Sequence, residues 1–167
     1  MSIKQEIISW DGKSSRDITA IYNRHSNENS FSSKLIEFSQ QAELQKGATW
    51  LIKHHLECGW KIQSKEIATI YKHLPKLEHW ETKLHILQCI PYMPINKTAK
   101  KYVEFFLRKC LSDNNKFVRA WTYNGFYLLS LQHSEYQQET QQLFELAMTD
   151  EAASVKARIR NIMKKGF

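Results

Sequence analysis

The sequence predicts an all-α fold of repeated helix pairs, and three observations carry that expectation. Turn-forming residues are scarce: five Gly and three Pro make 8 of 167 residues, too few for the many short strands of a sandwich or barrel. Apolar side chains recur at helical spacing from residue 64 onward, as amphipathic helices with one buried face require. A residue pattern also returns every 36 to 37 positions, within the range of helical repeat units. With 42% hydrophobic and 25% charged side chains, the chain reads as one folded domain able to bury roughly 70% of its unfolded surface.

Ser and Asp starts with Pro, Gly and Asn breaks place helices near 15–26, 31–40, 42–58, 64–74, 79–90, 98–111, 116–131, 135–149 and 152–165, joined by connections short enough to make neighbours antiparallel. Ile3 and Trp10, ahead of the first of these, are expected to fold back on the N-terminal helices. In the fourth helix Ile67, Ile70, Tyr71 and Leu74 form one stripe. Tyr136, Thr140, Leu143, Phe144 and Ala147 form another, and Val155, Ile159, Ile162 and Met163 a third. The segment 117–131 is apolar nearly all round, which suits a central helix packed on both flanks.

The repeat is clearest toward the C-terminus. Asp113 is followed five positions later by Val118-Arg119-Ala120, and Asp150 five positions later by Val155-Lys156-Ala157, 37 residues on. Stepping back 36 from Ala120 reaches Leu84 and then Ala48, while Ile67 steps to Val103 and Ile70 to Phe106. An Asp, four residues, then Val-[Arg/Lys]-Ala after a helix end resembles the HEAT-repeat signature. The resemblance covers about residues 42–165, with two well-matched copies and two degraded ones. It implies a right-handed α-α superhelix of about four helix pairs, in which second helices line a concave face. On that reading residues 1–41 form an N-terminal cap, 42–151 three helix pairs, and 152–165 a capping helix. Stacking is what hides the apolar stripe of each pair, and Lys156, Arg158, Arg160, Lys164 and Lys165 would give the last helix a polar outer face.

Charge is distributed in blocks. The net charge of +7 divides into +2 over residues 1–96, +5 over 97–119, −5 over 120–151 and +5 over 152–167. A phosphate backbone is held by a continuous basic stripe, which an intervening acidic block would interrupt. Three cysteines, Cys58, Cys89 and Cys110, form no C-x-x-C pair, which suits a reducing compartment and a cytoplasmic protein. No apolar run approaches the ~20 residues of a membrane span, and residues 1–12 lack a secretory h-region.

No motif specifies catalysis. Gly12-Lys13-Ser14 lacks the second glycine of a phosphate loop, Ile7 standing in its place, and reads as a turn capped by Ser14 or Ser15. His54 with Cys58 and His85 with Cys89 could each present two zinc ligands on one helical face. The repeat offsets the two pairs by five residues, about 140° of helix, so they do not meet in one site. No cofactor and no metal is therefore expected. Candidate binding residues are Lys100, Lys101, Arg108 and Lys109 on one helix, Arg119 beside Trp121, and Trp60 between Gly59 and Lys61. An exposed Trp in a groove is a strong anchor, whereas basic residues on a helix serve equally as a solvated face.

The resemblance to HEAT-repeat proteins implies a non-catalytic, monomeric helical scaffold whose concave face binds another protein. The alternative is a DNA-binding repair protein similar to the HEAT-like alkylpurine DNA glycosylases. Sequence-independent RNA or DNA binding through the two basic blocks is a third reading.

Overall fold

The computed structural model describes residues 1–167. Every regular element is helical. The α-helices are α1 (Ile3–Ser9), α2 (Ser15–His25), α3 (Phe31–Phe38), α4 (Ala42–Glu57), α5 (Ser64–Lys72), α6 (Trp80–Cys89), α7 (Lys100–Cys110), α8 (Lys116–Gln132), α9 (Gln137–Asp150) and α10 (Ala153–Met163). Three short 3-10 turns, Leu74–Lys76, Ile90–Tyr92 and Ser134–Tyr136, flank α6 and precede α9. No helix is long and apolar enough to cross a membrane.

Helix α1 departs from the expected pattern, because the region before residue 15 is itself partly helical. A capping box starts it: Ser2 Oγ accepts from Gln5 N at 3.3 Å, and Gln5 Oε1 accepts from Ser2 N at 2.9 Å. Ile3 and Ile7, four apart, are both buried, so one short stripe is enough to dock it against α2 and α4. After it, Asp11 Oδ1 accepts from Lys13 N and Ser14 N, both at 2.8 Å. Gly12 takes φ +73° there, and Ser14 caps α2 by accepting from Asp17 N at 3.2 Å. Gly12-Lys13-Ser14 is thus a capped turn.

The helices gather into two compact units, Met1–Tyr92 and Met93–Phe167. In the first, α4 is the hub and packs on α1, α2, α3 and α6. Gly47 lets α1 approach it, since a Cβ at that position would stand 2.7 Å from Ile7 Cγ2.

In the second unit α8 is central, packed on α7, α9 and α10. It is buried on most sides, from Val118 and Ala120 through Phe126 to Leu129 and Ser130, as an apolar helix with neighbours on both flanks should be, but one edge stays open, with Phe117 and Leu131 50% and 56% exposed and Trp121 half-buried. Asn115 starts α8 by accepting from Phe117 N and Val118 N at 2.9 and 3.2 Å. Ala120, Tyr123, Phe144, Ala147, Val155, Ile159 and Ile162 form a core that joins α8, α9 and α10. Leu84, Ala120 and Ala157 are each fifth in their helix, whereas Ala48 is seventh, and their surroundings differ, Ala48 and Ala120 being buried, Leu84 half-buried and Ala157 exposed. Val118 and Val155, each third, are both fully buried.

Candidate interaction surface

Lys100, Glu104 and Arg108 lie at i, i+4 and i+8 along one flank of α7, so all three point the same way. Opposite them stands the start of α9. Lys100 Nζ donates to Glu135 Oε1 at 2.5 Å. Arg108 donates to both oxygens of Glu139, at 2.6 and 3.0 Å, and through Nε and Nη2 to Glu104 at 3.2 and 2.9 Å. The Tyr136 hydroxyl donates to the other Glu104 oxygen at 2.6 Å. That hydroxyl, with the Arg108 guanidinium, holds the Glu104 carboxyl below the usual range. Glu139 and Glu104 in turn raise Arg108 further above its ordinary value.

Arg119 is also engaged. Its Nε donates to the two oxygens of Glu151 at 2.9 and 3.2 Å, and its Nη1 to the Asp113 and Asn114 carbonyls at 2.9 and 3.2 Å. The side chain ties the start of α8 to the α9–α10 link, a structural task.

Trp121 is half-buried on α8 and lies under the Arg158 guanidinium, 4.1 Å from its ring centroid. Burial lowers the Arg158 pKa. Lys116 Nζ similarly sits 5.4 Å over the exposed ring of Phe117, one helical turn before Trp121.

The outward face of α7 is different in kind. Tyr102 and Phe105, 40% and 53% exposed, stand three apart, the spacing of neighbours on one helix face. Lys109 Nζ lies 4.8 Å over the Phe105 ring. Lys101 is exposed and forms no ion pair. Across the gap to α9, Leu146 is 65% exposed and lines a shallow hollow with Leu111, Leu143 and Tyr123. Tyr102, Phe105 and Leu146 lie outside the set that charge and tryptophan content single out. The signal for Tyr102 and Phe105 is their i, i+3 aromatic spacing within 98–111.

Trp60, in the first unit, is 54% exposed. It follows Gly59, whose φ of +91° ends α4, and stacks on His55 at 5.4 Å and 7°. His55 Nδ1 meets the Tyr22 hydroxyl at 3.1 Å, so the indole covers one end of a buried Tyr–His pair. His54 Nε2 and Cys58 Sγ are 3.7 Å apart. His85 is turned inward to Thr49 Oγ1 at 3.0 Å, and the buried Cys89 thiol is pushed up by burial. The two His/Cys pairs have different surroundings, and nowhere do three His, Cys, Asp or Glu side chains gather where they could hold one ion.

Of the seven candidate residues, Lys100, Arg108 and Arg119 are thus committed to carboxylates within the second unit. Lys101, Lys109 and Trp60 face solvent, and Trp121 is shared with Arg158. Comparison with family models, curated proteins and solved structures finds no match to this chain.

Proposed function

We propose that the chain is a non-catalytic scaffold of HEAT-like helix pairs that binds another protein through the faces of its second helices. Val118 and Val155, each third in its helix and both fully buried, support the repeat reading, since equivalent residues of stacked pairs occupy equivalent positions. The observation that carries the binding reading is the outward face of α7. Exposed Tyr102 and Phe105 there stand beside Lys101 and Lys109, neither of which is paired to a carboxylate. Exposed aromatics flanked by cations are the usual anchors of protein recognition. Duplex DNA would want the whole basic stretch, and Lys100, Arg108 and Arg119 are spent on Glu135, Glu139 and Glu151.

A photo-crosslinking side chain at Phe105 tests this in cell extract, with the same label at Ser154, an exposed residue of α10, as the control. The expected result is one protein captured from the Phe105 position and lost in Tyr102→Asp. Equal capture from both positions, or salt-sensitive duplex DNA binding abolished by Lys101→Glu/Lys109→Glu, would overturn it.

A further inference from the structure

His54 and Cys58 stand at the end of α4, and His85 and Cys89 hold the same i, i+4 spacing in α6. Only the first pair presents its donor atoms at the surface. His54 Nε2 lies 3.7 Å from the sulfur of exposed Cys58, whereas His85 turns to Thr49 and Cys89 is fully buried. Spacing alone therefore does not set the arrangement. The packing of the His54 ring does: it is stacked on Trp50 at 4.9 Å and 23°, and it meets the Tyr22 ring edge to face at 4.7 Å and 87°. Rings on two sides fix the direction in which Nε2 points.

The separation is that of two donors sharing one ion. Metal bonds of about 2.0 Å to nitrogen and 2.3 Å to sulfur, meeting at about 110–120°, place those atoms about 3.5–3.7 Å apart. A thiolate selects a soft ion, copper(I) or zinc, and coordination number decides between them. Zinc takes a full tetrahedral set, and no third His, Cys, Asp or Glu joins this pair. Glu57, the carboxylate of the same turn, is held by Lys53 at 3.2 and 3.3 Å. Copper(I) is satisfied by a smaller set of soft donors. We infer that Cys58 Sγ and His54 Nε2 form a binding site for one copper(I) ion, with a further position open to solvent. On binding, the ion takes the place of the thiol proton, which passes to solvent. The site belongs to the first unit and makes no use of the α7 face proposed for a protein partner, so each stands or falls alone.

Titration of the full chain with copper(I), under ascorbate and without oxygen, against the chromophoric chelator bicinchoninate tests it. The expected result is about one copper withdrawn per chain, with alkylation of Cys58 by iodoacetamide slowed at least about tenfold once copper is bound. Cys58→Ser should withdraw none. His54→Gln should bind at least about tenfold more weakly, since losing a ligand costs no less than losing a group that orients one. Circular dichroism checks that both variants fold, and the alkylation rate needs no variant. No copper withdrawn by the unaltered chain overturns the inference. So does copper retained by Cys58→Ser, or zinc held as tightly as copper. A His54→Gln variant that binds as tightly as the unaltered chain overturns it too, and leaves the contact as a plain S–H···N hydrogen bond.

Discussion

Arg108 of α7 grips Glu139 of α9 with two parallel donors at 2.6 and 3.0 Å. The pair is partly exposed, so alone it is worth ~0.2–1 kcal/mol. Removing Arg108 also leaves Glu104 and Glu139 facing each other, whereas Glu139→Gln leaves Arg108 its bond to Glu104. Arg108→Ala should therefore cost about 1 kcal/mol and Glu139→Gln about half that. Urea melts at low salt and at about 1 M salt check it, because screening shrinks both losses. Losses unchanged by salt would mean that packing of the arginine stem, and not charge, holds α7 to α9.

Acid should begin to destabilise the protein through its buried histidine before its carboxylates protonate. His85 is pushed down to about 3, first by burial and then by the charges of Lys53, Lys46 and His79. Its value in the unfolded chain is ~6.5, so the native state binds fewer protons. The stability it contributes is present in full above about pH 6.5 and is lost as pH falls from there toward the folded value. One such group gives a slope of ~1.4 kcal/mol per pH unit. His54 and His55, lowered by burial too, steepen the upper part of the same window. Stability measured from about pH 6 to 4.5 should fall with this slope, and His85→Gln should remove about one proton's worth of it. An identical slope in the variant would show that His85 protonates freely in the native state.

How much of this was legible beforehand depends on the range over which each feature acts. Helices α2 to α10 follow from local periodicity and breakers, and the burial of Val118 and Val155 from their shared register. Helix α1 was missed although its Ser2–Gln5 box and Ile3/Ile7 pair are written in the chain, because seven residues give too short a stripe to read with assurance. The basic and acidic blocks were visible as sums. Their cancellation was not, since Lys100 meets Glu135 and Arg108 meets Glu139 across 35 and 31 positions. Which carboxylate lands beside which cation is settled by how α7 and α9 lie against α8, a packing outcome that no local pattern encodes.

The three cysteines should separate cleanly by reactivity. Cys58 ends α4 in solvent, whereas Cys89 and Cys110 are 0% and 1% exposed. A thiol reagent at neutral pH should titrate one equivalent in the native protein and three in denaturant, and Cys58→Ser should reduce the native count to none. Two prompt equivalents would place either α6 or the end of α7 in fast local opening.

Gly125 sits at the crossing of α7 and α8, with Leu107 directly over it: a Cβ there would stand 2.5 Å from Leu107 Cδ2 and 3.4 Å from Cδ1. Two effects of opposite sign meet in Gly125→Ala. Alanine favours the helix by ~1 kcal/mol over glycine, while forcing a methyl into a filled site costs ~1–3 kcal/mol. Leu107 is fully buried and cannot swing away, so overpacking should win and the variant should lose about 1 kcal/mol. Leu107→Ala alone should lose ~2–5 kcal/mol through the void it opens. In the double variant the new methyl of residue 125 enters that void without a clash. Its loss should thus be smaller than the sum of the singles by about 1–2 kcal/mol, a coupling expected of residues in direct contact. Thermal or urea melts of the four proteins close the cycle, and strict additivity would mean that α7 and α8 do not meet at this pair.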